Sequence, residues 1–378
     1  MTRCAILVSH PIQYLVPLFQ ALSEHETIST EIWCNNDFGN KPFFDPDFKK
    51  IIKWDIEVVE GYTQRLLTNI SLRPSTNFFG QINPGIISLL LSANRPDALI
   101  VWGWNSVSHL MAILIARIMG VKLYLRAETT LEYETSLPFA KRVIKKIILN
   151  LFFKMFNGFL YLGNQNRQFY DYIGISHEKL HFMPYCTSRF SKSMSRRKLK
   201  KIRKFLFVGK LTPKKRPDIV IEAFKCLCVK HPELELGLTI VGDGEMRPSI
   251  AKTCGADSQL TFHGFANQGE LQQIYQAHDA IILPSDERET WGLVINEGLA
   301  SGLAAITSDR VGCRTDLIKP GKNGDIFSYG NVDELTSCMH SLVDGTLSVQ
   351  QIHTTNLSLA KIYNHDVGAA TLFGLCND

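Results

Sequence analysis

The chain has 378 residues, 45% hydrophobic and 20% charged, which is ample material for buried cores and more than the usual single domain, so two domains are expected. Nine cysteines with one close pair, Cys226 and Cys228, make neither a disulfide framework nor a zinc pattern, and a reducing cytoplasm is expected. A net charge of +5 is a mild excess, and the lack of any fixed-period repeat or low-complexity tract excludes repeat architectures.

The opening MTRCAILVSH carries an apolar run too short for a signal-peptide core and runs into Pro11, so it reads as a first buried strand. Further strands are expected at ISTEIWC (28–34), ALIVWGW (98–104), VKLYLRA (121–127), GFLYLG (158–163) and KLHFMPY (179–185). Helical patterns lie between most of them, notably YLVPLFQALSEH (14–25) and SVSHLMAILIARIMG (106–120). In LPFAKRVIKKIILNLFFKMF (137–156), Lys141, Arg142, Lys145 and Lys146 share one side of a helical wheel, opposite Val143, Ile144, Ile147 and Ile148. Two readings follow: a solvated basic face on a core helix, or peripheral docking on an anionic membrane through 141–146. The longest apolar window, 147–163, is interrupted by Asn150, Lys154 and Asn157, so no membrane span is expected.

Between Lys192 and Lys204 stand eight basic residues and no acidic one, which reads as a linker. The alternation then restarts with strands at KFLFVGKL (204–211), LGLTIVGDG (236–244), QLTFHGFA (259–266), AIILPS (280–285) and LAAITSD (303–309), each joined to the next by a helical pattern. The expected architecture is α/β, with two Rossmann-like, doubly wound parallel-sheet domains facing a cleft. Its boundaries are 1–190, a linker at 191–204, 205–355, and a segment 356–378 packing back on the first domain.

Ligands of open α/β sheets lie at the carboxyl ends of the strands, so the loops there matter most. In SDERETWGLVINEGLASG (285–302), Glu289 stands in a loop and Gly292 opens a helix through Glu297. Backbone N–H groups at Trp291, Gly292 and Leu293 can seat a phosphate, the alternative being an acidic loop before a solvent-facing helix. In VGKLTPKKRPD (208–218), Lys210 and Lys215 can neutralise a diphosphate as point charges, or simply continue the basic linker. IVGDGEMRP (240–248) places Gly242, Asp243 and Gly244 after a strand. Arg247 stands where a nicotinamide-binding fold needs a third glycine. His263, Gly264 and Phe265 follow the next strand and can meet a nucleobase, or form a plain turn.

In order along the chain, G-K-L-x-x-x-K, G-D-G-E, H-G-F, L-P-S and E-T-W-G-L-V-I-N-E-G-L-A-S-G resemble the second domain of the retaining GT-B glycosyltransferases of family 4, over roughly 203–345. The resemblance implies that Glu289 meets the transferred sugar, Glu297 the ribose hydroxyls, and Lys210 with Lys215 the diphosphate of a UDP- or GDP-sugar. It implies no metal and no other cofactor; Asp45-Pro46-Asp47, the one D-x-D, reads as loop. Lys210 replaces the arginine more usual in the family, which keeps the charge and loses the bidentate geometry. His10, Gln13 and Tyr14 look like a variant of the family's opening loop, contacting donor or acceptor, with a structural proline turn as the alternative. Arg126 and Glu128 follow a strand where many relatives carry a sugar-facing histidine, and are expected to bind sugar or to pair with each other.

The implied activity is transfer of a sugar with retention to a glycan or lipid-linked acceptor, in polysaccharide or lipopolysaccharide assembly, in the cytoplasm or at the inner face of the membrane. The alternatives are a nucleotide-sugar epimerase and a non-catalytic module binding a nucleotide or an anionic polymer. No nucleic-acid partner is expected, because the basic linker lacks interleaved aromatics.

Overall fold

β1 (Thr2–Val8) shows why the first half folds as a two-faced sheet. Cys4, Ile6 and Val8 enter one apolar cluster with Phe19 and Leu372, while Ala5 and Leu7 enter the opposite one with Leu99, Val101 and Phe153. A strand buried on both faces needs this uninterrupted apolar run, because its side chains alternate across the sheet.

The structure is a computed structural model that describes residues 1–38, 43–45, 50–52, 60–186 and 201–377. Asp45-Pro46-Asp47 and most of the basic linker lie outside the described side chains. After β1 come β2 (Ile28–Cys34), a short pair β3 (Phe43–Asp45) and β4 (Lys50–Ile52), and β5 (Thr63–Leu66). They are followed by β6 (Ala98–Trp102), β7 (Lys122–Arg126), β8 (Gly158–Tyr161) and β9 (Leu180–Phe182). Seven of these form a parallel sheet in the order β5-β2-β1-β6-β7-β8-β9, with Ala5 opposite Leu99. β10 (Lys204–Val208), β11 (Gly237–Val241), β12 (Leu260–Gly264), β13 (Ala280–Leu283), β14 (Ala304–Ser308) and β15 (Gly324–Phe327) make a second parallel sheet, in the order β12-β11-β10-β13-β14-β15. The fold is therefore the two-sheet α/β architecture read from the sequence. β5 and β15 were not anticipated: TQRL is almost wholly exposed or half-buried, and GDIF is too short to show a pattern.

The described residues divide into two units, one within Met1–Phe43, Ile56–Cys186 and His365–Asp378, the other within Phe44–Asp55 and Thr187–Asn364. The C-terminal segment is thus shared. Asn356 donates to the Leu303 carbonyl at 2.9 Å within the second unit. From His365 onward the last helix joins the first unit, where Thr371 donates to the Phe182 carbonyl at 2.7 Å and the Tyr124 hydroxyl to the Leu375 carbonyl at 3.1 Å.

The helix Phe139–Phe153 departs from the expected core helix with a solvated basic face. Only Leu149 and Phe153 are buried, and the apolar side chains of its first three turns point away from the core. Three of its cations turn inward instead. Lys145 reaches the fully buried carboxylate of Glu134 at 2.5 Å, Lys146 lies 4.2 Å from the centre of the Tyr172 ring, and Arg142 donates to the Thr135 carbonyl. A buried carboxylate costs several kcal/mol unless paired, which outweighs the burial of one or two aliphatic side chains and fixes the helix in this rotation.

Candidate functional site

In the second sheet β10 is flanked by β11, which follows it in the chain, and by β13, three strands after it. The winding reverses there, and in such sheets the loops leaving the carboxyl ends of the two central strands border a crevice. Those loops are 209–216 and 284–292.

The first loop is held by backbone. Gly209 N–H donates to the Val241 carbonyl at 3.0 Å and Leu211 N–H to the Asp243 carbonyl at 2.8 Å, so the chain after β10 stays zipped to the chain after β11. Gly242 and Gly244 permit this approach. Both have positive φ, and a Cβ on Gly242 would lie 1.8 Å from the Gly209 carbonyl oxygen. Asp243 accepts from the Gly244 N–H and from Arg247 at 2.8 Å. The three residues expected to touch donor therefore also build the loop that carries Lys210, whose carbonyl accepts from Thr212 at 2.9 Å. Arg216 has φ +48, a left-handed conformation in keeping with the following Pro217 excluding the right-handed helical region.

The second loop is anchored to the first: Asp286 N–H donates to the Lys214 carbonyl at 3.1 Å. The Asp286 carboxylate takes Arg288 at 2.5 Å, and its carbonyl accepts from Glu289 N–H at 3.0 Å, a turn that presents the Glu289 side chain. Glu289 pairs with Lys215; the two side chains are 14% and 16% exposed, so the pair is largely withdrawn from water. Burial works to raise the Glu289 pKa, but Lys215, then Lys214, hold it below the ordinary carboxylate value. Burial pushes the Lys214 pKa down, against the pull of Glu289. Two cations and one carboxylate thus share one small volume, leaving a net positive charge.

Trp291 is buried, with its indole N–H donating to Asn296 at 2.7 Å. Gly292 caps the helix Leu293–Ala300 with φ +100, where a Cβ would meet Leu283 at 2.7 Å, so glycine is required by conformation and by space. Glu297, within this helix, accepts from the Tyr275 hydroxyl at 2.6 Å and from Gln268 at 3.2 Å. Burial raises its pKa, opposed by those two donors. His263 pairs with Glu270 at 3.3 Å, Gly264 gives its carbonyl to Gly242 N–H at 2.8 Å, and Phe265 is half-buried.

The first unit has its own reversal at β1, between β2 and β6. His10 follows β1 with Nδ1 2.8 Å from the Ser9 hydroxyl, and burial pushes its pKa down to about 4, so it is neutral at physiological pH. Gln13 lies in a single 3-10 turn, its amide nitrogen buried without a hydrogen-bond partner. Tyr14 stacks edge-on against Tyr185, with the hydroxyls 3.2 Å apart. Arg126, at the end of β7, is 1% exposed; its guanidinium carbon lies 4.7 Å from the Trp102 ring centre and 5.0 Å from that of Tyr185, and it donates to the Met183 carbonyl. Glu128 accepts from Tyr185. Burial lowers the Arg126 pKa and Glu128 opposes that, so the two carry electrostatic coupling with Tyr185 between them.

Sequence reasoning passed over Lys214, Tyr275, Gln268, Trp102 and Tyr185. The doubled lysine of TPKKRP was a usable signal for the first; the others reach their partners from distant segments, where no local pattern marks them. Among the described residues, no group of three His, Cys, Asp or Glu side chains is placed to hold a metal ion.

Compared with known proteins, the architecture is that of the GT-B class. The chain aligns over its full length with the crystal structure of Anabaena HepE in complex with UDP (TM-score 0.71, 15% identity, 100% of each chain), and with the apo lipopolysaccharide outer core galactosyltransferase WaaB (TM-score 0.67, 16% identity, 99% of each). At that identity the likeness is one of fold. Residues 190–353 match the sequence model of the family described as glycosyl transferases group 1. An uncharacterized glycosyltransferase of Methanocaldococcus jannaschii is 33% identical over 122 residues (32% of this chain, 30% of that protein). The D-inositol 3-phosphate glycosyltransferase of Rhodococcus erythropolis (strain PR4 / NBRC 100887) is 30% identical over 145 residues (36% and 32%). The chain spans about a third of the length of these curated relatives.

Proposed function

We propose that the protein is a glycosyltransferase that moves a sugar from a nucleoside diphosphate donor to a glycan or lipid-linked acceptor. The observation that carries this is the Lys215–Glu289 pair, with Lys214 beside it, at the carboxyl ends of β10 and β13. In a sugar transfer the leaving diphosphate gains negative charge while the sugar ring gains positive charge. Lys215, Lys214 and Lys210 answer the first, and the ionised carboxylate of Glu289 answers the second. Backbone N–H groups at Gly292 and Leu293 add the positive end of a helix dipole to the phosphate side. Glu297, held by Tyr275 and Gln268, is placed to accept from ribose hydroxyls. This chemistry draws its leaving-group stabilisation from side chains and backbone, without a metal.

Glu289 acts here by charge and orientation: its ion pair with Lys215 keeps its pKa low and weakens it as a covalent nucleophile. The reading therefore includes retention of configuration by same-face attack, with the donor phosphate accepting the acceptor's proton, as the family 4 resemblance implies. The setting is assembly of cell-surface polysaccharide or lipopolysaccharide, in the cytoplasm or peripherally on the inner membrane face. Among the described residues, no helix is long and apolar enough to cross a membrane.

The test is a panel of nucleotide sugars scored by thermal shift and then by release of the nucleoside diphosphate with and without acceptors. A donor at about a hundred times its Kd adds about 2.7 kcal/mol of stability. A UDP- or GDP-sugar that raises Tm, and whose turnover requires acceptor, supports the reading. No shift with any donor at millimolar concentration overturns it, and conversion of the donor alone makes the protein an epimerase.

A further inference from the structure

The helix Phe139–Phe153 carries an outward apolar stripe that the folded unit leaves uncovered. Phe139, Ile144, Ile147, Ile148 and Leu151 are between 58% and 72% exposed, and Val143 is 38% exposed. Spaced at i, i+3, i+4 and i+7, they lie along one side of a 15-residue helix, about 22 Å long. A continuous apolar stripe on a soluble surface marks a docking site, unlike scattered single exposures.

The charges say what docks there. Residues 139–154 hold five cations, Lys141, Arg142, Lys145, Lys146 and Lys154, and no anion. Lys145 and Lys146 are turned back toward Glu134 and Tyr172, whereas Lys141 and Lys154 are exposed near the two ends of the stripe. Apolar side chains in the middle with long cations at the ends fit a bilayer interface, where aliphatic groups enter the acyl boundary and lysines extend to the phosphates. A second copy fits poorly, because a two-fold interface would set these cations against their own symmetry mates.

We infer that the outward face of the helix Phe139–Phe153 seats the protein on an anionic phospholipid bilayer, with Ile144, Ile147, Ile148 and Leu151 entering the interface and Lys141 and Lys154 meeting lipid phosphates. The Glu134–Lys145 pair positions the helix by holding its basic side inward. This deepens the peripheral setting proposed above, yet needs no nucleotide sugar, so it can fail while the transferase reading stands, and the reverse.

Flotation of the full chain with phosphatidylcholine vesicles, and with vesicles of phosphatidylcholine mixed with phosphatidylglycerol, tests it. The parent is expected to float with the mixed vesicles and far less with phosphatidylcholine alone. Ile147→Ser with Ile148→Ser is expected to lower the partition coefficient about a hundredfold. Lys141→Glu with Lys154→Glu is expected to lower it about thirtyfold, and to do so on the anionic vesicles only. Both pairs are exposed, so circular dichroism, Tm and the donor-induced thermal shift should match the parent. Failure of the parent to bind, or binding that ignores the isoleucine pair, overturns the inference. Equal binding to both vesicle types removes its electrostatic half. A dimer in sedimentation velocity that the isoleucine substitutions dissociate, with no vesicle binding, assigns the stripe to a second copy instead.

Discussion

The two sheets reverse their winding in the same way, and the loops at their carboxyl ends treat charge differently. After β10 and β13, the cations Lys214 and Lys215 face one carboxylate, Glu289, and the Lys215 and Glu289 side chains keep 16% and 14% exposure. After β7, one cation, Arg126, is sealed between Trp102 and Tyr185 with its charge answered by the Met183 carbonyl and, at greater range, Glu128. The first arrangement is net positive and partly exposed; the second is neutralised and closed. Arg126 ends β7, two strands from the reversal at β1, so the two positions differ in topology as well as in exposure, and the one at a reversal is the one whose charges stay partly exposed.

The sharpest way to break this comparison is Glu289→Gln. It keeps the shape, removes the negative charge, and is expected to lower sugar transfer about a hundred- to a thousandfold while leaving the fold intact by circular dichroism. A similar loss with Lys215→Met would tie the effect to the pair. Transfer at the parental rate in Glu289→Gln would mean that the charge arrangement after β13 is structural, and the contrast with Arg126 would vanish.

Much of this contrast was legible beforehand, and unevenly. Strands such as β1, β6 and β13 are apolar on both faces, so their type followed from composition, and the loops that follow them followed from strand ends. Glu289 and Lys215 stand in such loops and could be named, whereas Lys214 was hidden by its neighbour. Arg126 could be named but not placed, because nothing in LYLRAETT says that Trp102 and Tyr185, 24 and 59 positions away, close over it. The helix Phe139–Phe153 was turned the wrong way for a related reason: its wheel favours an inward apolar face, and the opposite rotation is set by Glu134, a buried carboxylate whose burial the sequence does not show.

Arg126→Ala tests the closed side. Losing a fully buried, doubly stacked side chain is expected to cost about 3 kcal/mol in urea unfolding. The thermal shift given by a donor should keep its size. A lost donor shift with unchanged stability would mean that Arg126 is a ligand contact, and the carboxyl-end loops of both sheets would then belong to binding. Gly242→Ala probes the open side through its scaffold. A Cβ 1.8 Å from the Gly209 carbonyl, at φ +145, must push the loop of Lys210 aside, and about 2 kcal/mol of stability should be lost together with a higher KM for the donor. An unchanged KM would separate that loop from the site.

The smallest effect is the most specific, because it compares two carboxylates proposed to serve one donor. Glu289 has a lowered folded pKa, so ionising it stabilises the fold above the ordinary carboxylate range, and that contribution is lost as pH falls through the folded pKa. Glu297 has a raised one, so as pH rises from the ordinary range through the folded pKa the unfolded chain releases its proton first, and stability falls. Replacing each by glutamine should therefore move Tm in opposite directions at neutral pH, down for Glu289→Gln and up for Glu297→Gln, by about 2–4 °C. Both variants should converge on the parent curve in acid, where all the carboxyls are protonated. The opposition has a functional sense. Glu289 is kept ionised by lysines that a diphosphate would draw away, so donor binding should raise its pKa. Glu297 is restrained by neutral donors, Tyr275 and Gln268, and its titration should shift much less when the phosphates arrive. Two-dimensional NMR of the glutamate carboxyls, with and without the nucleoside diphosphate, reads both directly; equal shifts at the two positions would show that the diphosphate does not sit against Lys215.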